Sequence, residues 1–203
     1  EPEPWVHVLP IPDSYRRDGS DFASEASSGL EQAGEVAGLL IESMLSCAGQ
    51  VPLPDGYLRQ AAASVRRAGG LLIADEVQVG FGRVGSHMWA FEETGVVPDI
   101  VVMGKPIGNG HPMAAVFTTI EIASSFGGME FFSTFGGNPV SCAIGMAVMD
   151  VIEKERLLSR ARDLGSRFKA GLETLQESHE VIGDVRGRGL FLGFEMVRDR
   201  DTL

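Results

Sequence analysis

Apolar residues along the chain gather in short blocks separated by polar, proline-rich and glycine-rich stretches. Val36 to Glu42, Leu71 to Ala74 and Ile100 to Met103 are compact apolar runs of the kind that form buried strands. Met113 to Thr119 predicts a further strand, and Trp5 to Ile11 alternates like a short strand running into a loop. Pro52, Pro54, Asp55 and Gly56 mark a loop. Tyr57 to Ala68 then carries the spacing of an amphipathic helix, stopped by Gly69-Gly70. Asp13 to Gly34 is polar and predicts helix over part of its length. Asn138 suits an N-cap and Pro139 a first helical position, so a long helix is expected to about Lys154, with a second from Leu157 to about Gln176. Gly183-Asp184-Val185-Arg186-Gly187 reads as a turn into a strand-like run, Leu190 to Val197, which has no evident partner.

Strands alternating with helices predict an α/β layer with a mainly parallel sheet. In such sheets ligands lie outside the carboxyl ends of the strands. Asp75 and Lys105 both fall at such ends, which makes them the first candidates for chemistry.

Charge and cysteine content narrow the partners. The formal net charge is −11, which argues against a nucleic-acid binder, since that needs a basic stripe against phosphates. Cys47 and Cys142 lie far apart without a CxxC or His-rich neighbourhood, so neither a disulfide framework nor a zinc site is expected and a reducing, cytoplasmic setting is the default. No apolar run reaches transmembrane length, so no membrane partner is expected. The chain opens at Glu1 instead of methionine, and a processed or cut piece is expected.

A carboxylate and a lysine on neighbouring strands can hold a pyridoxal phosphate ring, the lysine as a Schiff base and the aspartate against the pyridine nitrogen. Each residue also has a plainer reading. Asp75 alone suits a helix N-cap or a surface turn, but Asp75-Glu76 directly after Leu-Leu-Ile-Ala buries charge at a cost unless a cation or donors meet it. Lys105 alone suits an exposed loop. Its neighbours Met103 and Ile107 instead suggest an apolar, partly desolvated setting, where a lysine is suited to imine chemistry. Thr134-Phe135-Gly136-Gly137-Asn138-Pro139 is either an ordinary capped helix start or a phosphate-binding turn. His111 is a possible site-facing group, although a lone histidine is more often structural. Gly80-Phe81-Gly82-Arg83-Val84-Gly85 matches GxGxxG and raises a nicotinamide-binding oxidoreductase as an alternative. Asp75-Glu76 at its mouth would repel a pyrophosphate, and Asp99, the acid near the required distance, precedes a strand instead of ending one.

Asp75-Glu76-Val77-Gln78, Gly104-Lys105-Pro106-Ile107-Gly108-Asn109-Gly110 and Thr134-Phe135-Gly136-Gly137-Asn138-Pro139, in that order, resemble the class III, or ω-amino-acid, aminotransferases of pyridoxal phosphate (PLP) fold type I. Glu42 to Gln50, Val79 to Gly85, Gly108 to Pro112 and Phe131 to Cys142 are most similar to the amine phospho-lyase branch, which acts on phosphoethanolamine or phosphohydroxylysine, and the opening Val6 to Asp13 fits it as well. The resemblance implies that Lys105 forms the Schiff base and Asp75 keeps the ring nitrogen protonated. It also implies that Val77 packs on a ring face, Gln78 approaches the ring hydroxyl and Glu42 lies on the substrate side, although Ser43 replaces the proline usual in the transaminases. Thr134 would bind the phosphate of the partner subunit's cofactor, which implies a homodimer with a shared active site. By the same resemblance, residues 1–150 belong to the PLP-binding large domain, and residues 151–203 form linker helices and the start of a small C-terminal α+β domain. Family members are longer, so a fragment is expected. The implied reactions are phospho-lyase cleavage of a primary amine or, alternatively, ω-transamination. A further alternative is that the isolated fragment has no catalytic activity.

Overall fold

The computed structural model describes residues 2–128 and 131–202 of the chain. Helix α1 (Phe22–Ala33) begins where the Asp21 carboxylate accepts a hydrogen bond from the Ser24 amide, and ends at Gly34. Strand β1 (Gly38–Glu42) is followed by a short antiparallel pair, β2 (Met44–Leu45) and β3 (Val51–Pro52). Helix α2 (Tyr57–Arg67) leads to β4 (Leu71–Asp75). A long turn then connects to β5 (Ile100–Met103), β6 (Ala115–Thr118) and the short helix α3 (Ile120–Phe126). Helices α4 (Pro139–Lys154) and α5 (Leu157–Ser178) precede the strands β7 (Ile182–Arg188) and β8 (Phe191–Met196).

The main sheet has the order β1-β4-β5-β6. The first three strands are parallel and β6 is antiparallel to β5. Leu39, Leu72 and Ala74 share one face, and α1 and α2 cover it. Leu58, Ala61, Ala62 and Val65 recur at helical spacing on α2 and are buried in the same core. Burying a residue such as Leu58 or Leu72 contributes about 1.5–3 kcal/mol. The α1–α2 crossing also carries a buried hydrogen bond from the Ser64 hydroxyl to that of Ser27. Asp99 fixes the entry into β5, because its Oδ2 accepts from the Leu72 amide at 2.8 Å while Arg66 pairs with it.

Two expectations from the residue pattern change. Trp5 to Ile11 is extended but joins no sheet among the described residues; Leu9 packs on the α1 core instead. Gly183 to Gly187 is strand, not turn: β7 pairs antiparallel with β8 and supplies the partner that Leu190 to Val197 seemed to lack. The two glycines mark irregular strand positions, with a register shift between Ile182 and Asp184 and a left-handed φ of 107° at Gly187. The β2–β3 pair and α3 are too short to leave a periodic signal.

The GxGxxG segment turns without opening a helix, so it offers no helix N-terminus for a pyrophosphate. It is a packing joint instead. Gly85 has φ +80°, and a Cβ there would lie 2.6 Å from the Arg162 amide nitrogen on α5. The Arg83 carbonyl accepts a hydrogen bond from the Leu190 amide just before β8.

Candidate active site

Strand register places the candidates. Glu42 on β1 is paired with Asp75 on β4, and Asp75 with Val102 on β5. The carboxyl ends of three parallel strands therefore present Glu42, Asp75 and, three residues beyond Val102, Lys105. Glu42 and Asp75 line one cleft of about 700 Å³, with Leu40, Ile41 and Tyr57 in its wall. The Glu42 carboxylate accepts from the Ser46 amide at 2.9 Å.

Asp75 is half-buried. Its Oδ1 accepts from the Val77 amide at 2.9 Å, and Oδ2 has no hydrogen bond among the described residues. Val77 reaches across to the lysine turn, where its Cγ1 lies 3.3 Å from the position a Cβ on Gly104 would take. Gln78 is half-buried beside it.

Lys105 opens a 3₁₀ turn, Lys105–Gly108, directly after β5. Met103 and Ile107 on either side are buried with Phe81. Lys105 itself is exposed, so the desolvated setting suggested by its neighbours belongs to them alone. The turn rolls Ile107 into the core and leaves the lysine outside. Among the described residues its ammonium has no ion pair. Its φ of +34° is uncommon for a residue with a Cβ and costs about 1–3 kcal/mol, a strain that clusters at functional positions.

Thr134 is exposed in the segment that leads to the Asn138 cap of α4. Among the described residues no hydrogen bond joins it to Asp75 or Lys105. His111 is not isolated: its Nε2 lies 2.8 Å from the Ser141 hydroxyl.

In the sequence Asp75-Glu76 is one charged step. The structure separates them. Glu76 is fully buried, and its two oxygens accept from the Ala90 and Phe91 amides at 2.9 and 3.0 Å. It fixes the turn over Ala90–Thr94 to the end of β4 and so backs the candidate site. The Ser43 hydroxyl is buried near this carboxylate without a hydrogen bond of normal geometry. Burial raises the Glu76 pKa, against the lowering pull of these donors. Its folded pKa therefore exceeds the unfolded one. The resulting stability is full below the unfolded pKa and is lost as pH rises through the folded value. Glu76→Gln has no such ionisation, but it sets an amide NH₂ against one of the two backbone donors, a loss of about 1–3 kcal/mol. The stability gap between wild type and variant is expected to narrow as pH rises, read from urea unfolding at a series of pH values. A gap independent of pH contradicts this account.

None of the helices among the described residues is long and apolar enough to cross a membrane. Residues 3–202 match the family described as Aminotransferase class-III. The chain is 43% identical over 223 residues to "Ethanolamine-phosphate phospho-lyase homolog 1" of Caenorhabditis elegans, covering 98% of this chain and 48% of that protein. It is 49% identical over 201 residues to "Alanine--glyoxylate aminotransferase 2 homolog 2, mitochondrial" of Arabidopsis thaliana, covering 96% and 42%. Among solved structures, a phospholyase from Arthrobacter in complex with phosphoethanolamine matches with a TM-score of 0.87 and 40% identity, over 94% of this chain and 48% of that one. The chain thus spans less than half the length of these relatives. On this match and these identities, the chain belongs to the class III aminotransferases and carries part of their PLP-enzyme fold.

Proposed function

We propose that the protein is a PLP-dependent enzyme acting on a primary amine, and that its reaction is phospho-lyase cleavage of a phosphoethanolamine-type amine to an aldehyde, ammonia and phosphate. The observation that carries the reading is the placement of Asp75 at the carboxyl end of β4 and of Lys105 just past the carboxyl end of the adjacent parallel strand β5, with the lysine exposed in a strained backbone conformation. The side chains present suit the cofactor: among the described residues the carboxylate has one oxygen free of hydrogen bonds and the lysine has no ion pair, and Val77 lies against the lysine turn. Pyridoxal phosphate, when bound, supplies an aldehyde that condenses with amines and a ring that withdraws electrons from the neighbouring carbon.

In this reading Lys105 would hold the cofactor through Nζ and, once the substrate amine has displaced it, its freed amine would take the proton from the substrate carbon that bears the nitrogen. Asp75 holds the proton on the pyridine nitrogen by charge pairing. Val77 keeps water from one ring face, Gln78 orients the ring hydroxyl, and Glu42 faces the substrate. Thr134 binds the phosphate of the cofactor in a partner subunit. Exposed apolar side chains around that segment support a homodimer: Phe132 and Phe135 are 85% and 84% exposed, and Ile120 and Val140 are open as well. We assign residues 1–150 to the large domain and the rest to linker helices and the start of the small one. The exposed, unpaired Cys47 and Cys142 support a reducing compartment, which we take to be the cytoplasm.

The phospho-lyase preference rests on the relatives from Caenorhabditis elegans and Arthrobacter. The Arabidopsis thaliana relative favours a second reading, an ω-amino-acid transaminase. The intact protein given phosphoethanolamine is expected to release phosphate and ammonia in equal amounts. Amino transfer to a keto acid without phosphate release would replace the first reading with the second. Because the chain covers under half of its relatives, the isolated 203 residues form a third case, a folded piece without catalysis. Pyridoxal phosphate titration of that piece, with circular dichroism for folding, separates it: a folded spectrum and no yellow adduct identify the inert piece.

A further inference from the structure

His111 and Ser141 join two segments that the proposed site uses separately. The turn after β5 runs as consecutive short-range backbone bonds: Ile107 N–H to Gly104, Asn109 N–H to Pro106 and His111 N–H to Gly108, each 3.0 or 3.1 Å. His111 is thus the rigid far end of the turn that Lys105 opens. Its Nε2 meets the Ser141 hydroxyl at 2.8 Å, with the donor set by the imidazole tautomer. Ser141 lies in the first turn of α4, immediately after the Thr134–Asn138 segment. The cap of that helix is already complete, because the Asn138 side chain accepts from both the Val140 and Ser141 amides. The Ser141 hydroxyl is therefore spare and is spent on His111. One turn later, Gly145 holds the contact close: a Cβ there would lie 2.9 Å from Met113 Cε and 3.8 Å from the Ile107 carbonyl.

From this arrangement we infer that His111 and Ser141 are positioning residues. They set the Thr134–Asn138 phosphate-binding turn relative to the Lys105 turn, and so couple one subunit's lysine to the phosphate site it lends its partner. The inference rests on the PLP reading above. A tie that acts through the phosphate turn leaves a signature that a general structural role lacks. It changes affinity for pyridoxal 5′-phosphate and spares affinity for pyridoxal, which has the same aldehyde and ring but no phosphate.

The test uses the intact protein and its His111→Phe, Ser141→Ala and doubly substituted variants, with His111→Gln and Ser141→Thr as conservative controls. Binding of each aldehyde is followed by the absorbance of the lysine adduct. Each disruptive substitution is expected to weaken pyridoxal 5′-phosphate binding by roughly three- to tenfold, the worth of one hydrogen bond, with pyridoxal binding unchanged. The double variant is expected to lose no more than either single one, and the conservative variants to retain wild-type affinity. Equal losses for both aldehydes, or no loss for either, overturn the tie while leaving the Lys105 assignment intact. A wild-type protein that forms no adduct with either aldehyde removes the PLP reading and the tie together. Ser141→Ala, the smaller change, decides the question if His111→Phe does not fold.

Discussion

Lys105→Ala is expected to lower turnover of the intact enzyme by at least about 10²–10⁴-fold, the usual contribution of a positioned proton-transfer group, with the loss of the Schiff base in addition. The same substitution should leave stability within about 0.5 kcal/mol of wild type, because the side chain is exposed and makes no ion pair among the described residues. Alanine at a φ of +34° keeps the strain that lysine bears there. Initial rates beside urea unfolding separate the two effects. A large fall in stability would make the lysine structural, and residual turnover within tenfold of wild type would remove it from the chemistry.

The second large effect falls on stability. Arg186 on β7 is 11% exposed and collects ligands from distant parts of the chain. It donates to the Gly49 carbonyl at 2.8 Å, to Asp184 at 2.9 Å and to Glu195 at 2.7 Å, and Asp13 lies 3.8 Å away. Arg16 also pairs with Glu195. The β7–β8 hairpin is thereby fastened to the loops at Asp13 and Gly49. Burial opposes ionisation of Glu195, but Arg186 and Arg16 overcome it and hold the carboxyl below the usual range. Arg186→Met removes the shared cation, leaving Asp13 and Asp184 without an ion pair among the described residues and Glu195 with Arg16 alone, a loss of about 3–5 kcal/mol. The pH sign is opposite to that of Glu76. Glu195 has a lowered folded pKa, so its contribution is present above the unfolded pKa and fades as pH falls through the folded one. The deficit of Arg186→Met should therefore be largest near neutrality and shrink in acid. A deficit below 1 kcal/mol at neutral pH would mean that the hairpin is held by other contacts, such as Phe191 in the Met44–Val79–Val84–Ala90 cluster.

The elements legible in the sequence were those whose period spans several residues or whose ends carry a chemical signal. α2 showed through Leu58, Ala61, Ala62 and Val65, and α4 through Asn138 and Pro139. β7 is hidden because Gly183 and Gly187 carry the composition of a turn, whereas its strand conformation comes from pairing with β8. Asp75 and Lys105 could be placed at strand ends, but the exposure of Lys105 depends on how the 3₁₀ turn rolls. The buried role of Glu76 was hidden because its donors, Ala90 and Phe91, lie 14 and 15 residues away. Contacts across longer separations left no local trace at all: His111 with Ser141 across 30 residues, and Arg186 with Gly49 across 137.

In the proposed enzyme Lys105 is the residue that would hold pyridoxal phosphate. Reducing the cofactor-loaded intact protein with borohydride and mapping the modified peptide by mass spectrometry tests it directly. A single phosphopyridoxyl group is expected on Lys105, and none in Lys105→Ala. The same group on Lys154, Lys169 or any other lysine, or an adduct that survives in Lys105→Ala, would contradict it.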